Sequence, residues 1–392
     1  MPLGELTVVD ISTLAAAPQI AAFFGDFGAR VIKVEHPRGD PLRKLVDKRG
    51  AALQWKIVNR NKQCVTLDIG NPAGRALLER LLERADLLVC NLNATRLQRW
   101  QLEPNELKQR HSRLVVVNLT TFGTTGPWAD RGGSGTLAEA MAGLASLSGN
   151  AADPPQLSPV GLGDYLGVLQ GIIAALFGLY RREVGKNGSA FDVAMYEPIL
   201  GLLSQRLAAT QRDGIEPARL GNRFPTMAPR NTYRTSDGEW VALTAGTDEL
   251  VRRMFALFGR PELAADARFR DNTARLQHVD ELDAIIAVWI GAHSRDEVVE
   301  AFARAGVSLA AVDGLKRVLT NPQINARQNL VQVQDDEVGP LTIAAPTPIA
   351  ADGSAAIQQL GRGRGADNAL VYRDWLGLSA DELAQLRAAG IV

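Results

Sequence analysis

Short apolar runs alternate with helical segments along the first third of the chain, and no other feature constrains the fold as strongly. Residues 6–11 form such a run, followed by a Ser12-Thr13 break and an alanine-rich segment, 15–27, with helical spacing. The pattern recurs at 30–35, at 64–69 followed by 72–84, at 86–90 followed by 96–109, and at 114–121. Strands joined by crossover helices lie parallel in one sheet with helices on both faces, so the expected class is α/β.

From about Asn222 the texture changes. Asp237-Gly238 separates two alternating runs within 231–244, a strong hairpin signal. Helical segments then dominate 248–305, with a break at Pro261, which predicts a smaller α+β domain over 222–329. A further hairpin is expected at 331–333 and 341–343 around Gly339-Pro340. It precedes a terminal helix at 379–389 in which Ser379 and Glu382 complete a capping box. The chain has 392 residues, and single cores stop growing near roughly 250–300 residues, so more than one domain is expected.

Hydrophobic residues make up 46% of the chain, enough to bury a large core, which excludes the disordered and fibrous classes. Lys plus Arg (43) balance Asp plus Glu (43). That removes the footprint of a nucleic-acid or anionic-membrane binder, and any anion site must be local. Cys64 and Cys90 cannot build a disulfide framework, and His36, His111, His278 and His293 lack ligand spacing. No metal site is expected, and a reducing cytoplasm fits. The N-terminus lacks the charge and apolar run of a signal peptide. The most apolar stretch, 165–180, carries Gln170, ends at Arg181-Arg182 and falls short of a span of about 20 residues, so it reads as a buried helix.

Several segments carry candidate chemistry. Asp164 lies among Gly161, Gly163 and Gly167 at the start of that helix. It is either a helix N-cap or a nucleophilic carboxylate presented by glycines that let another molecule approach. Residues 32–40 place titratable groups at a strand end, where open α/β sheets bind ligands, and 59–62 form a cationic turn. Residues 91–99 offer polar and cationic contacts for phosphates. Gly123-Thr-Thr-Gly126-Pro127 resembles half of a phosphate loop but lacks both the Gly-Lys-Ser/Thr ending and the dinucleotide fingerprint spacing.

Together these motifs resemble the class III coenzyme A transferase family, which includes formyl-CoA transferase, carnitine CoA-transferase and the 2-methylacyl-CoA racemases. The resemblance spans essentially the whole chain. It is carried by Asp10, Pro18, 27–35, Gly39-Asp40, 59–62, Thr66 to Asp68, Asn91, Phe122-Gly123, Gly126-Pro127, Gly163-Asp164, 192–197, 221–223, Ala228-Pro229 and 321–323. It implies a large Rossmann-like CoA-binding domain, 1–205 completed by 330–392, and two ring-like subunits interlocked as a homodimer. The implied catalytic carboxylate is Asp164, at a helix N-terminus whose dipole favours the ionised form. The implied CoA-lining positions are Leu14, Ala15, Ala16, His36, Leu67, Asn91, Leu92, Arg99 and Met195. The family's usual Gly-Pro becomes Ala17-Pro18, its Asn-Phe becomes Asn91-Leu92, and the Arg-Pro-Gly that often follows becomes Asn93-Ala94-Thr95.

The resemblance implies transfer of CoA from an acyl-CoA thioester to a free carboxylic acid through an aspartyl-CoA intermediate, with CoA as substrate and no tightly bound cofactor. Arg223 and Arg230 are candidates to pair with the second carboxylate of a dicarboxylic acyl group such as succinyl. The rival within the family is a racemase, which needs an acid and a base on opposite faces of the α-carbon. Racemases use a histidine of a Gly-His-Asp segment there, and this chain has Ser134 and Gly135. A third reading, a CoA-binding homologue without catalysis, conflicts with an intact Gly163-Asp164.

Overall fold

The computed structural model describes all 392 residues, which divide into two compact units. The larger comprises Met1–Ala145, Leu157–Gly214 and Gln323–Val392, and the smaller comprises Ser146–Gln156 and Ile215–Pro322. The smaller unit therefore takes in 146–156, which the expected boundaries left in the large domain, and loses 323–329.

The larger unit is built on a six-stranded parallel sheet: β1 (Thr7–Asp10), β2 (Arg30–Glu35), β3 (Gln63–Thr66), β4 (Leu87–Cys90), β5 (Val115–Thr120) and β6 (Ala190–Ala194). The order is β3-β2-β1-β4-β5-β6, so the winding reverses between β1 and β4. Val8, Val9, Ile32, Val65, Leu88 and Val117 have no exposed surface, which is why these strands read as mainly apolar runs rather than alternating ones, with Asp10, Lys33 and Asn118 as buried exceptions. Strand β6 was not expected: its first three residues are not buried, so its pattern carries no such run.

The helices of this part of the chain are α1 (Ala17–Asp26), α2 (Leu53–Val58), α3 (Pro72–Leu82), α4 (Ala94–Arg99), α5 (Pro104–Arg110), α6 (Gly135–Met141), α7 (Leu144–Leu147), α8 (Leu162–Glu183) and α9 (Glu197–Asp213). The single helix expected at 96–109 is in fact α4 and α5. Gln101 is left-handed (φ 58°), and Pro104 opens α5 where its missing N–H costs nothing.

Helix α8 lies close against the sheet because its packed face carries glycines. A Cβ at Gly167 would come within 3.1 Å of Met195 and Leu119, one at Gly171 would overlap Ile20, and one at Gly178 would lie 2.5 Å from Val115. The helix is longer than the 165–180 run, at 22 residues, and long and apolar enough to cross a membrane. It is buried on one face only, not throughout: Tyr165, Leu169, Ile173, Phe177 (65% exposed) and Tyr180 (70% exposed) form an apolar stripe on the other.

The hairpin β10 (Leu330–Asp335) and β11 (Gly339–Ala344) pairs Gln334 with Pro340 and Asp335 with Gly339. Gly339 and Pro340 are therefore strand residues, and the turn lies at 336–338. The last helix, Ala380–Ala388, has Ser379 as N-cap and a full capping box with Glu382, and its Leu383 joins the sheet's core.

In the smaller unit β7 (Arg230–Arg234), β8 (Trp240–Thr244) and β9 (Leu309–Ala311) form an antiparallel sheet in that order. Helices Asp248–Leu257, Val279–Gly291 and Arg295–Ala305 cover it around Phe255, Ile286 and Phe302, all fully buried.

Candidate active site

At the reversal point the loop after β1 is held from both sides. Asn91, just beyond β4, accepts the Thr13 N–H at 3.0 Å and donates to the Thr13 carbonyl at 2.9 Å. Asp40 accepts the N–H of Leu14 at 3.3 Å and of Leu42 at 2.8 Å. Leu14, held between them, has φ 65° and is exposed, a left-handed conformation that costs a leucine energy and needs such clamps to persist.

Beneath this loop lies a fully buried ion cluster. Lys62 reaches Asp10 at 2.9 Å, and Lys33 lies 3.6 Å from both Asp10 and Asp40. Lys62 also donates to the Pro18 carbonyl and to Asn59, while Lys33 donates to the Ser12 carbonyl. Burial pushes the Lys62 ammonium down to about 8 against the attraction of Asp10. Burial by itself would raise the Asp10 carboxyl, but Lys33 and Lys62 hold it below the ordinary aspartate range.

A cavity of about 650 Å³ opens at the carboxyl ends of β1 to β4. Open α/β sheets bind ligands at this place. Of the CoA-lining candidates, His36, Leu67, Asn91, Leu92 and Arg99 border it. Leu14, Ala15, Ala16 and Met195 do not. Ala16 is the N-cap of α1, Ala15 accepts from the Gln19 side chain, and Met195 is buried under Gly167. Asn91 has both side-chain groups engaged by Thr13, so its role in the wall is to hold the β1 loop. His36 faces Asp68 at 3.8 Å and accepts the Arg38 N–H.

The cavity also brings in Arg38, Lys44 and Arg96, which with Arg99 make four cations at one mouth, none in an ion pair with a carboxylate. Arg96 lies inside the 91–99 segment singled out from sequence. Lys44 and Trp100 were missed, since a basic residue after a proline turn and a tryptophan ending a short helix carry no local signal of a site.

The segment 123–127 is not a phosphate cradle. Both the N–H and the hydroxyl of Thr124 donate to Asp192, at 2.8 and 2.7 Å, so its amide is already taken by a carboxylate.

Asp164 is the third residue of α8 and not its N-cap, which is Gly161. Its Oδ1 accepts the Gly135 N–H at 3.1 Å across the seam with α6. Glycines form the walls around it. A Cβ at Gly135 would overlap the Asp164 amide and lie 2.6 Å from its Cγ, and one at Gly161 would lie 2.8 Å from Oδ2. The carboxyl is half-buried and sits above the ordinary aspartate range. Burial is the larger cause and the negative charge of Glu139 adds to it, while the Gly135 bond opposes both. Asp164 does sit in the first turn of α8, as expected, and loss of hydration is the largest influence on its carboxyl.

Asp164 lies on the same sheet edge as the cavity. One turn on, Gly167 packs on Leu119 and Met195 near the carboxyl ends of β5 and β6, whereas Gly178 packs on Val115 and Phe191 near their starts. Glu139, one turn after Gly135 on α6, is 2% exposed and accepts the Gly163 N–H at 3.0 Å. Nothing in the sequence marks it, since a glutamate in a short alanine-containing helix reads as a solvated residue.

In the smaller unit Arg223 is committed to Asp283 at 2.7 Å and to Asp280 at 2.6 Å on the helix Val279–Gly291, so it is not free to take a substrate carboxylate. Arg230 donates to the Asn222 carbonyl and stacks over Phe224, with no carboxylate partner.

Comparison with known proteins adds a family. Residues 3–361 match the family model CoA-transferase family III. The chain is 33% identical to succinyl-CoA–D-citramalate CoA-transferase of Chloroflexus aurantiacus, over 100% of this chain and 98% of that one. It is 32% identical to the beta subunit of succinyl-CoA–L-malate CoA-transferase of the same organism, again over 100% and 98%. Among solved structures, a CaiB/BaiF family protein from Brucella suis superposes with a TM-score of 0.81 at 30% identity, covering 95% of this chain and 99% of that one.

Proposed function

The chain belongs to the class III CoA-transferase family, and from that premise we propose that it moves coenzyme A from a dicarboxylic acyl-CoA, such as succinyl-CoA, to a free C4–C5 dicarboxylic acid through Asp164. One observation carries this reading: Asp164 is a half-buried carboxylate in a frame of glycines, bonded only to the Gly135 N–H, on the ligand-binding edge of the sheet.

Asp164 attacks the thioester carbonyl of the donor, and the carbon–sulfur bond breaks to leave an aspartyl–acyl anhydride and CoA thiolate. The thiolate then attacks the aspartyl carbonyl of the anhydride, giving an aspartyl-CoA thioester and the donor acid. The acceptor carboxylate repeats the two steps in reverse. Thioester energy is conserved throughout. Arg38, Lys44, Arg96 and Arg99 support placing the CoA phosphates at the cavity mouth, where four cations without acidic partners favour polyanions. The named substrates of the two Chloroflexus relatives support a dicarboxylate pair, and Arg230 is our candidate for the second carboxylate. A racemase would need a second acid–base side chain facing Asp164, and the partner there is Gly135, which offers only its N–H.

We read the strand order of the large unit as Rossmann-like and the assembly as an interlocked homodimer. The apolar stripe on α8 supports a second copy of the chain as its cover, rather than a lipid surface. A cytoplasmic setting fits the two buried, unpaired thiols of Cys64 and Cys90.

The test is to incubate the protein with succinyl-, acetyl- and 2-methylacyl-CoA and a panel of acids including citramalate, malate, mesaconate, itaconate and oxalate, following products by mass spectrometry. Transfer to a dicarboxylic acid with a CoA adduct on Asp164, both lost in Asp164→Ala, is the expected result. Normal turnover by a folded Asp164→Ala, or α-deuterium uptake in heavy water with no CoA transfer, overturns it.

A further inference from the structure

Glu139 is a buried carboxylate with no cation in bonding or ion-pair distance. Its one hydrogen-bond partner is the Gly163 N–H. A glutamine would accept the same bond without the cost of burying a charge, so packing alone gives no reason for an acid at this position. The residue that feels the charge is Asp164, next in the chain after Gly163.

The two carboxyl groups are crossed over one seam: Asp164 on α8 takes the Gly135 N–H of α6, while Glu139 on α6 takes the Gly163 N–H of α8. The other elements packed on α8 are α1, α9, β5 and β6. Their charged groups are Asp26, held by Arg60; Asp192, held by Thr124; Glu197, at the Ala194 N–H; Arg206; and the Arg212–Asp213 pair. None of them bonds to Asp164.

We infer that Glu139 is a positioning residue for the reaction: it fixes the Gly163 peptide that carries Asp164 and, by its charge, disfavours the free Asp164 carboxylate relative to the covalently modified one. Joining an acyl group or CoA to Asp164 removes that carboxylate's charge and with it the repulsion from Glu139, so the reaction relieves a strain present in the resting enzyme. The same repulsion makes the carboxylate more basic and hence a better nucleophile. This inference rests on the reading of Asp164 as the nucleophile.

The substitution Glu139→Gln keeps the acceptor for Gly163 and deletes the charge. The variant is expected to fold with a melting temperature no lower than that of the wild type and to lose about tenfold in kcat, the effect of a repulsion near 1.4 kcal/mol. The acid limb of its kcat/KM profile moves to lower pH, and less aspartyl-CoA adduct accumulates in intact-mass spectra during turnover. A purely structural role for Glu139 would leave the acid limb where it is in the wild type. An unchanged acid limb and adduct fraction overturn the inference, as does a Gln variant that fails to fold, since the charge would then serve the fold. Asp164→Ala run in parallel separates the two ideas: loss of turnover there with an unaltered Glu139→Gln refutes only the role of Glu139.

Discussion

The Gly135 N–H lies 3.1 Å from Asp164 Oδ1, and no side chain fits between the two residues. Position 135 must therefore be glycine for a steric reason as well as a chemical one. Gly135→Ala is expected to cost about 1–3 kcal/mol of stability, as overpacking does, and to lose most activity by displacing the carboxylate. Thermal denaturation and turnover measured together check this, and an alanine variant of normal activity would show that the seam opens more easily than the geometry indicates.

Burial first, and the charge of Glu139 second, raise the Asp164 carboxyl above the ordinary aspartate range. The nucleophile must be ionised, and a raised pKa means that the ionised fraction falls sooner as the pH drops. The acid limb of kcat/KM is therefore expected above the usual aspartate value of about 3.9. A pH–rate profile under saturating acceptor decides it, and a limb at or below that value would contradict the environment described for Asp164.

Asp10 is shared by two buried lysines, Lys62 at 2.9 Å and Lys33 at 3.6 Å. Asp10→Asn would leave Lys33 and Lys62 without it and is expected to cost about 3–5 kcal/mol. Because the folded Asp10 carboxyl lies below its unfolded value, its contribution is present above the unfolded pKa and is lost as the pH falls through the folded one. Denaturant titrations of wild type and variant near pH 7 and again at acid pH measure this. A cost that did not shrink on acidification would argue against the ion cluster as its source.

Charge reversal at the cavity mouth should act on binding. Arg96→Glu and Arg99→Glu are each expected to raise KM for the acyl-CoA about tenfold, the loss of one charge-assisted phosphate contact, with kcat largely kept. Added salt should raise the wild-type KM in the same sense. Unchanged KM values in both variants would move the phosphates elsewhere.

The stripe of Tyr165, Ile173, Phe177 and Tyr180 predicts an obligate assembly. Sedimentation at micromolar concentration should give a dimer. Two differently tagged preparations, mixed after folding, should yield almost no mixed species over hours if the subunits are interlocked. A monomer, or rapid exchange, would refute the interlocked dimer.

Local pattern was enough to find β1 to β5, the β7–β8 hairpin and the capped final helix. Strands buried on both faces are dominated by β-branched and aliphatic residues, Asp237-Gly238 is itself a turn, and Ser379 and Glu382 cap each other three residues apart. These are short-range facts. Strand β6, at the edge of the sheet, has no such run and went unread, and Pro104 split a helix that periodicity joined.

At the site, Asp164 and its glycines could be singled out from sequence, but not what surrounds them. Whether Arg223 is free depends on Asp280 and Asp283, 57 and 60 residues away, and only folding brings them together. Burial of Glu139, the commitment of Asn91 to Thr13 and the gathering of Arg38, Lys44, Arg96 and Arg99 at one opening are likewise products of chain segments meeting. The sequence by itself determined the parallel α/β architecture, because secondary structure follows from the spacing of apolar residues along the chain. Only the tertiary structure decided which charges are paired, buried or left facing a cavity, because solvation and Coulomb energies depend on distances through space.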